Sequence, residues 1–404
     1  MIVETDPGVR GASRATYIAF IGSGAVMASW AARIPQVRDG LGLTPSRLGL
    51  VLLAIASGSI VALVLSGQLV TRFGSRRVVS AMAALMGVAI VIVAVGYRIG
   101  VLPLVVGLAA FGFANGAWDV AMNVQGTVVE RRLGRAIMPR FHAGYSVGTV
   151  GGALLGVAAV ALHLPVTAHL IIVAGVVAAV VIFSVRGFLA DDAADAIDGP
   201  ATPSDEPASS GLRRTLATWS EPRTLLIGVF VLAFAFTEGA GIDWISIAVI
   251  DGYQVPATVG ALAFATFLAA MTLGRWFGPA LLDKFGRVPV VRALAAVSLV
   301  GLVLFIFGPT TPIAFIGALF WGLGASLGFP VGMSAAADDP TKAAARVSVV
   351  ASIGYCAFLG GPPLIGFLGD HVTVLKALTA VAVLLGVAIL LAGSIKPLVP
   401  ADRD

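Results

Sequence analysis

Apolar stretches of about 20 residues recur along this chain with only short polar breaks between them, and each is long enough to cross ~30 Å of hydrocarbon. The charge content points the same way. Of the 404 residues 58% are hydrophobic and 12% are charged, where an ordinary soluble domain carries about 25% charge. A water-soluble globular protein is excluded, and an all-α polytopic membrane protein is implied. The first stretch lacks a small-residue cleavage site before its polar flank, so it reads as the first transmembrane helix.

The hydropathy pattern places spans at about 15–35, 46–71, 77–97, 102–130, 140–163 and 165–187, then at about 223–250, 257–281, 288–308, 312–336, 345–368 and 373–395. Between the sets lies a segment rich in Asp, Pro, Ala and Ser that cannot bury enough apolar surface to fold. The expected organisation is a tail at 1–14, a six-helix bundle at 15–187, a linker at 188–220, a second bundle at 221–395 and a tail at 396–404. Lys and Arg stay in cytoplasmic loops. With the N-terminus inside, 20 of the 26 cations fall on that side, and only Arg33, Arg38, Arg47, Arg98 and Lys376 fall outside, with Arg275 inside a span. Both termini and the linker are therefore expected in the cytoplasm, and the chain in the cell (inner) membrane.

The halves repeat each other. GQLVTRFGSRRVV (67–79) matches PALLDKFGRVPVV (279–291) at an offset of 212, and GFANGAWDVAMN (112–123) matches LGASLGFPVGMS (323–334) at 211. Gly144-Tyr145 matches Gly354-Tyr355 at 210. Two parallel six-helix repeats are the sequence sign of alternating access, with a substrate site near mid-membrane.

With these motifs in view, the chain resembles the major facilitator superfamily over essentially its whole length. The loop after the second span, with Gly67, Arg72, Gly74, Arg76 and Arg77, is similar to the family's gating loop, and Asp283, Lys284, Gly286 and Arg287 form its second copy. The family motif has an Asp at the position of Thr71, and Pro279 replaces a glycine in the second copy. The resemblance implies that this loop latches the cytoplasmic side through charged contacts. Within the superfamily the chain looks most like fucose-permease-type sugar:proton symporters. Ile34-Pro35, Asp119-x-x-x-Asn123 and Ser326 with Phe329-Pro330 carry that likeness, although Ala31 stands where fucose permeases have a second acid.

Asp119 is the sharpest residue. A charge at the centre of a span costs ~2.5 kcal/mol or more, and Asn115, Asp119 and Asn123 share one helix face at a spacing of four. They form either a protonatable or substrate-binding site, or an interhelical polar tie. Glu238, near the middle of the seventh span, is the second proton-coupling candidate. Asp243, about 140° from Glu238 around an ideal helix, binds substrate, is solvated, or caps a helix unwound at Gly239 and Gly241. Trp30, Trp118, Trp244, Phe329 and Tyr355 either stack on a sugar ring or pack between helices, and Ser326 aligns with Asn115 on the opposing repeat. His142 is expected to bond a neighbouring loop. Arg275 either pairs with a carboxylate or reaches the cytoplasmic interface beside the gating loop. Gly144, Gly148, Gly152 and Gly156, and the Gly360, Gly361, Pro362, Pro363 interruption of the eleventh span, read as packing surfaces.

The single cysteine, Cys356, excludes an internal disulfide and a thiolate metal cluster. The cations are scattered rather than gathered on one face, which argues against nucleic acid. No G-x-x-x-x-G-K-[ST] loop is present, so an ion gradient is the expected drive. The expected activity is secondary active transport, with proton-coupled uptake of a sugar-like or small polar solute ahead of proton-driven efflux of drugs or metabolites. The fourth span has no Arg, and Gly148-Thr149 stands where antiporters of the efflux kind carry a Gly-Pro pair. A sensor or membrane enzyme would need a soluble domain or a dense catalytic cluster. No enzyme activity, cofactor or metal is expected; the expected partners are the solute, protons and the bilayer, and the expected state is a monomer.

Overall fold

The computed structural model describes residues 6–135, 137–190, 217–339 and 341–398. Among these residues twelve helical segments are long and apolar enough to cross a membrane, and no strand occurs. Most of the linker expected at 188–220, from 191 to 216, lies outside the described residues, as do Arg213, Arg214 and Arg403.

The chain separates into two compact units, Met1–Gly199 with Val255–Leu268, and Pro200–Gln254 with Ala269–Asp404. The first contains α1 (Pro7–Ala31), α2 (Ile34–Leu41), α3 (Pro45–Phe73), α4 (Ser75–Gly96), α5 (Val101–Leu133), α6 (Met138–Ala161) and α7 (Val166–Ser184). The second contains α8 (Pro222–Tyr253), the later part of α9 (Ala257–Phe285), α10 (Arg287–Phe307), α11 (Thr311–Ala325), α12 (Gly328–Ala336), α13 (Ala343–Val372), α14 (Val374–Ala377) and α15 (Thr379–Leu391).

Proline accompanies the breaks in two of the spans. It has no N–H to offer the carbonyl four residues back, so Pro35 and Pro330 leave the Ala31 and Ser326 carbonyls without that partner. The first span breaks between α1 and α2, and the tenth between α11 and α12. Two expectations are corrected here. Pro362 and Pro363 lie inside an unbroken α13, and α8 runs continuously through Gly239 and Gly241 instead of unwinding. The first helix also starts at Pro7, well before residue 15, because Asp6 caps it by accepting the Gly8 N–H at 3.0 Å.

Glycine sets how closely helices approach. A Cβ on Gly148 or Gly152 of α6 would collide with the carbonyls of Ile21 and Ala25 on α1, and one on Gly144 would lie 3.3 Å from the Tyr17 ring. The α3/α5 pair uses the same device, with Gly58 against the Ala109 carbonyl and Gly112 against that of Ile55. Aromatic rings fill the remaining space: Tyr17 and Phe20 pack on Phe141 at 4.8 and 5.8 Å in the first unit, and Phe305 meets Trp321 at 5.6 Å in the second. Large apolar side chains such as Val64, Leu102 and Leu390 are 74%, 75% and 80% exposed. In water such surfaces would aggregate; in a bilayer they are the lipid-facing surface.

The stripe makes a direct prediction. Gly148→Val should lower the stability of the detergent-solubilised protein by about 1–3 kcal/mol or more. Gly151→Val, with nothing within 4 Å of its Cβ, should leave the thermal melt within about a degree of the wild type.

Candidate functional site

In the first unit Asp119 lies near the middle of the 33-residue α5 and is exposed. Asn123, one turn on, donates through Nδ2 to the Asp119 carbonyl at 2.8 Å and to its Oδ1 at 3.3 Å. Asn115, one turn back, instead accepts from Ser23 Oγ of α1 at 3.2 Å. The three amide and acid side chains thus divide: Asn115 ties α5 to α1, while Asp119 and Asn123 form a local pair. No Lys or Arg among the described residues pairs with Asp119.

In the second unit Arg275 of α9 donates from Nη2 to both oxygens of Glu238 on α8, each at 2.8 Å. Its Nε reaches the Ser326 carbonyl at 3.4 Å, the acceptor that Pro330 leaves unused at the break between α11 and α12. Gly274, beside Arg275, lets α9 approach: a Cβ there would collide with Ser326 Oγ. One guanidinium therefore ties together three spans. Arg275 thus pairs with a carboxylate within the spans, the first of its two expected placements, and is not drawn to the loop at Asp283, where it was also expected. Asp243 is half-buried on the unbroken α8 and makes no hydrogen bond or ion pair among the described residues, so it caps no broken helix.

The aromatic candidates are corrected in part. Trp30, Trp118 and Trp244 are fully buried, and their indole N–H groups have no partner among the described residues. They pack inside their own units, where a solute does not reach them. Ser326 is likewise buried and donates to the Leu323 carbonyl at 2.7 Å. Phe329 is half-buried and Tyr355 is 39% exposed, its ring 6.3 Å from Phe358. His142 sets its ring edge against Phe20 at 5.1 Å.

The gating loops differ between the units. Gly74 and Gly286 take the left-handed φ of 79° and 80° that the sharp turn needs, a conformation glycine adopts without steric cost. In the second unit Arg287 pairs with Asp338 at 2.6 Å, and Arg223 joins the same carboxylate at 3.1 Å. Asp283 is exposed and makes no contact among the described residues. In the first unit Arg72 lies 5.3 Å over the Phe73 ring, Thr71 bonds back to the Gly67 carbonyl at 2.9 Å, and no acid among the described residues pairs with Arg72, Arg76 or Arg77.

Residue types alone did not flag several contacts. Asp338 and Asp339 close the tenth span as an acidic pair beside Arg223, Arg287 and Arg346, and that placement was the available signal. Glu221 bonds Arg346 at 2.7 Å and Lys342 at 3.2 Å. Glu130 caps α6 by accepting the N–H groups of Ile137 and Met138 at 2.6 and 2.8 Å. Arg33, 3% exposed, donates from Nε to His169 Nδ1 at 3.0 Å and from Nη2 to the Leu164 carbonyl at 2.9 Å. No group of three His, Cys, Asp or Glu residues able to hold a metal occurs among the described residues.

The sequence profile of the Major Facilitator Superfamily matches residues 15–357. The chain belongs to that superfamily. An uncharacterized MFS-type transporter of Yersinia pestis is 30% identical over 371 residues, covering 92% of each chain. Among solved structures the chain is similar to the nucleoside transporter NupG, with a TM-score of 0.74 at 13% identity over 96% of this chain and 98% of that one. The E. coli fucose:proton symporter FucP matches with a TM-score of 0.63 at 14% identity, over 97% of this chain and all of that one (100%). At such identities these two likenesses establish the fold, a twelve-helix transporter fold in two repeats.

Two predictions follow from the charged contacts. The Glu238 and Arg275 side chains are 19% and 30% exposed, so their pair is less costly to break than a sealed one. Glu238→Gln alone should cost about 1–3 kcal/mol of thermal stability by stranding the guanidinium, and the added Arg275→Gln change should recover part of it, as a double-mutant cycle would read. The second concerns pH. The Arg346 hydrogen bond, against some desolvation, holds the Glu221 carboxyl down at about 2 from 4.5. That stabilisation is present above pH 4.5 and is lost as the pH falls toward 2. Melting temperature between pH 5 and 3 should therefore fall more steeply in the wild type than in Arg346→Gln.

Proposed function

We propose that this superfamily member is a secondary active importer that couples proton entry to uptake of a sugar-like or other small polar solute by alternating access. The observation that carries the reading is the contrast between the two acids first expected to carry the proton. Glu238 has its charge compensated by Arg275 at 2.8 Å, whereas among the described residues Asp119 has the amide of Asn123 and no cation. An intramembrane carboxylate with no cation beside it is best tolerated neutral, so Asp119 takes the coupling proton. The Glu238 and Arg275 pair, which presents both acceptors and donors, is assigned to binding solute hydroxyl groups, together with Asp243, Phe329 and Tyr355 of the same unit.

The solute class is supported by the fucose carried by FucP and the nucleosides carried by NupG, both of which contain a sugar ring. The distribution of cations supports an orientation with both termini in the cytoplasm, in the cell membrane, and the chain is read as a monomer of two six-helix bundles joined by a linker at 188–220.

The test is uptake of labelled fucose, related sugars and nucleosides into proteoliposomes with and without an inward proton gradient. For whichever solute is carried, Asp119→Asn should remove at least about 90% of the gradient-driven uptake, the tenfold loss expected of ~1.4 kcal/mol, while counterflow exchange continues. Uptake by Asp119→Asn that still follows the gradient would sink the assignment. Glu238→Gln should raise KM and leave the pH dependence in place.

A further inference from the structure

The two gating loops align through the internal repeat, but their charges do not. Asp283 of the second copy corresponds to Thr71, and Asp338, which neutralises Arg287, corresponds to Thr127 at the 211-residue offset of the fourth and tenth spans. Both threonines turn inward on their own helices, Thr71 to the Gly67 carbonyl at 2.9 Å and Thr127 to that of Asn123 at 3.2 Å. The arginine itself is displaced. Arg287 aligns with Ser75, and the tie from the loop to the fourth span is made by neutral groups. With its amide turned to satisfy both ends, Gln125 donates to Ser75 Oγ at 3.0 Å and to the Leu189 carbonyl at 3.2 Å, and accepts the Leu189 N–H at 3.0 Å. The first unit thus keeps the cations of the motif without its acids.

Those cations border a cavity of about 770 Å³, lined by Arg76, Arg77, Gly74, Phe73, Phe188 and Leu189. The start of α4 adds to the positive potential, because Gly74 at its N-cap offers no side chain to the first N–H groups. Two guanidinium groups meet the apolar side chains of Phe73, Phe188, Leu189 and Ala190 there. A free inorganic anion would use only the guanidinium groups; an amphiphile would use both kinds of surface. The loop belongs to the positively charged side of the spans, which in the orientation proposed above faces the anionic cytoplasmic leaflet.

We infer that this cavity is a binding site for the phosphate headgroup of an anionic phospholipid. Arg76 and Arg77 hold the phosphate oxygens, a geometry suited to the guanidinium fork, and Phe73 and Phe188 contact the glycerol and upper acyl region. The inference rests on the proposed orientation but not on proton coupling, and its readout is lipid binding rather than uptake, so either can fail while the other stands.

The test uses the purified full chain in a mild uncharged detergent, titrated with phosphatidylglycerol, phosphatidylcholine or inorganic phosphate, with bound lipid read by native mass spectrometry and stability by thermal melt. Phosphatidylglycerol should bind the wild type well above phosphatidylcholine. In R76Q/R77Q its affinity should fall about thirtyfold, which is about 2 kcal/mol at ~1.4 kcal/mol per tenfold. R77Q alone serves if the double variant does not fold, with an expected loss of about fivefold for ~1 kcal/mol. R98Q, which removes an exposed cation at the other end of α4, should bind like the wild type. Equal affinity for the two lipids, an unchanged R77Q, or an R98Q loss matching that of R77Q would overturn the site. An arginine-dependent melt shift with inorganic phosphate alone, matching that of the lipid, would overturn the headgroup in favour of a free anion.

Discussion

Hydrocarbon offers no replacement for a lost hydrogen bond, so a polar group carried into the spans is costly unless it finds a partner within the chain. The helical ladder does this for the backbone until a proline interrupts it. At Pro330 the carbonyl of Ser326 loses its helical donor, and Arg275, itself an intramembrane cation in need of acceptors, takes that carbonyl and both oxygens of Glu238. A defect in one helix, a cation in a second and an acid in a third satisfy one another. Gly274 is part of the same arrangement, because only a residue without Cβ lets α9 come close enough to Ser326.

The same constraint separates the charges that are compensated from those that are not. Arg33 is buried but uses a histidine and a backbone carbonyl in place of an acid. Glu238 is paired, whereas Asp119 and Asp243 have no cation among the described residues. In a span an uncompensated carboxylate is costly, which sets these two positions apart from Glu238. The repeat heightens the contrast between the halves: in the second unit Asp338 pairs with Arg287, while in the first no acid among the described residues pairs with Arg72, Arg76 or Arg77.

Much of the site's chemistry was legible from residue type. Asp119 with Asn123 one turn away, Glu238, and an Arg275 in search of a carboxylate are exceptions in an apolar background, and rarity made them visible. The stacking role weighed for Trp118 and Trp244 was not borne out, because a tryptophan next to an acid on a helix points about 100° away from it. In both cases the acid is accessible and the ring is sealed inside. The expected interruption of α13 failed for a related reason: two successive prolines remove donors, but neighbouring packing can carry a helix through them.

The sequence by itself determined the number of spans and the internal repeat, because hydropathy and motif spacing are local properties that add along the chain. Tertiary structure decided which acid is paired, which indoles are buried and, among the described residues, which loop arginines pair with an acid. These depend on the rotation of each helix about its own axis. Helices that are apolar nearly all round, as α5 and α8 are, carry almost no sequence signal for that angle; close contacts such as Gly274 on Ser326 set it.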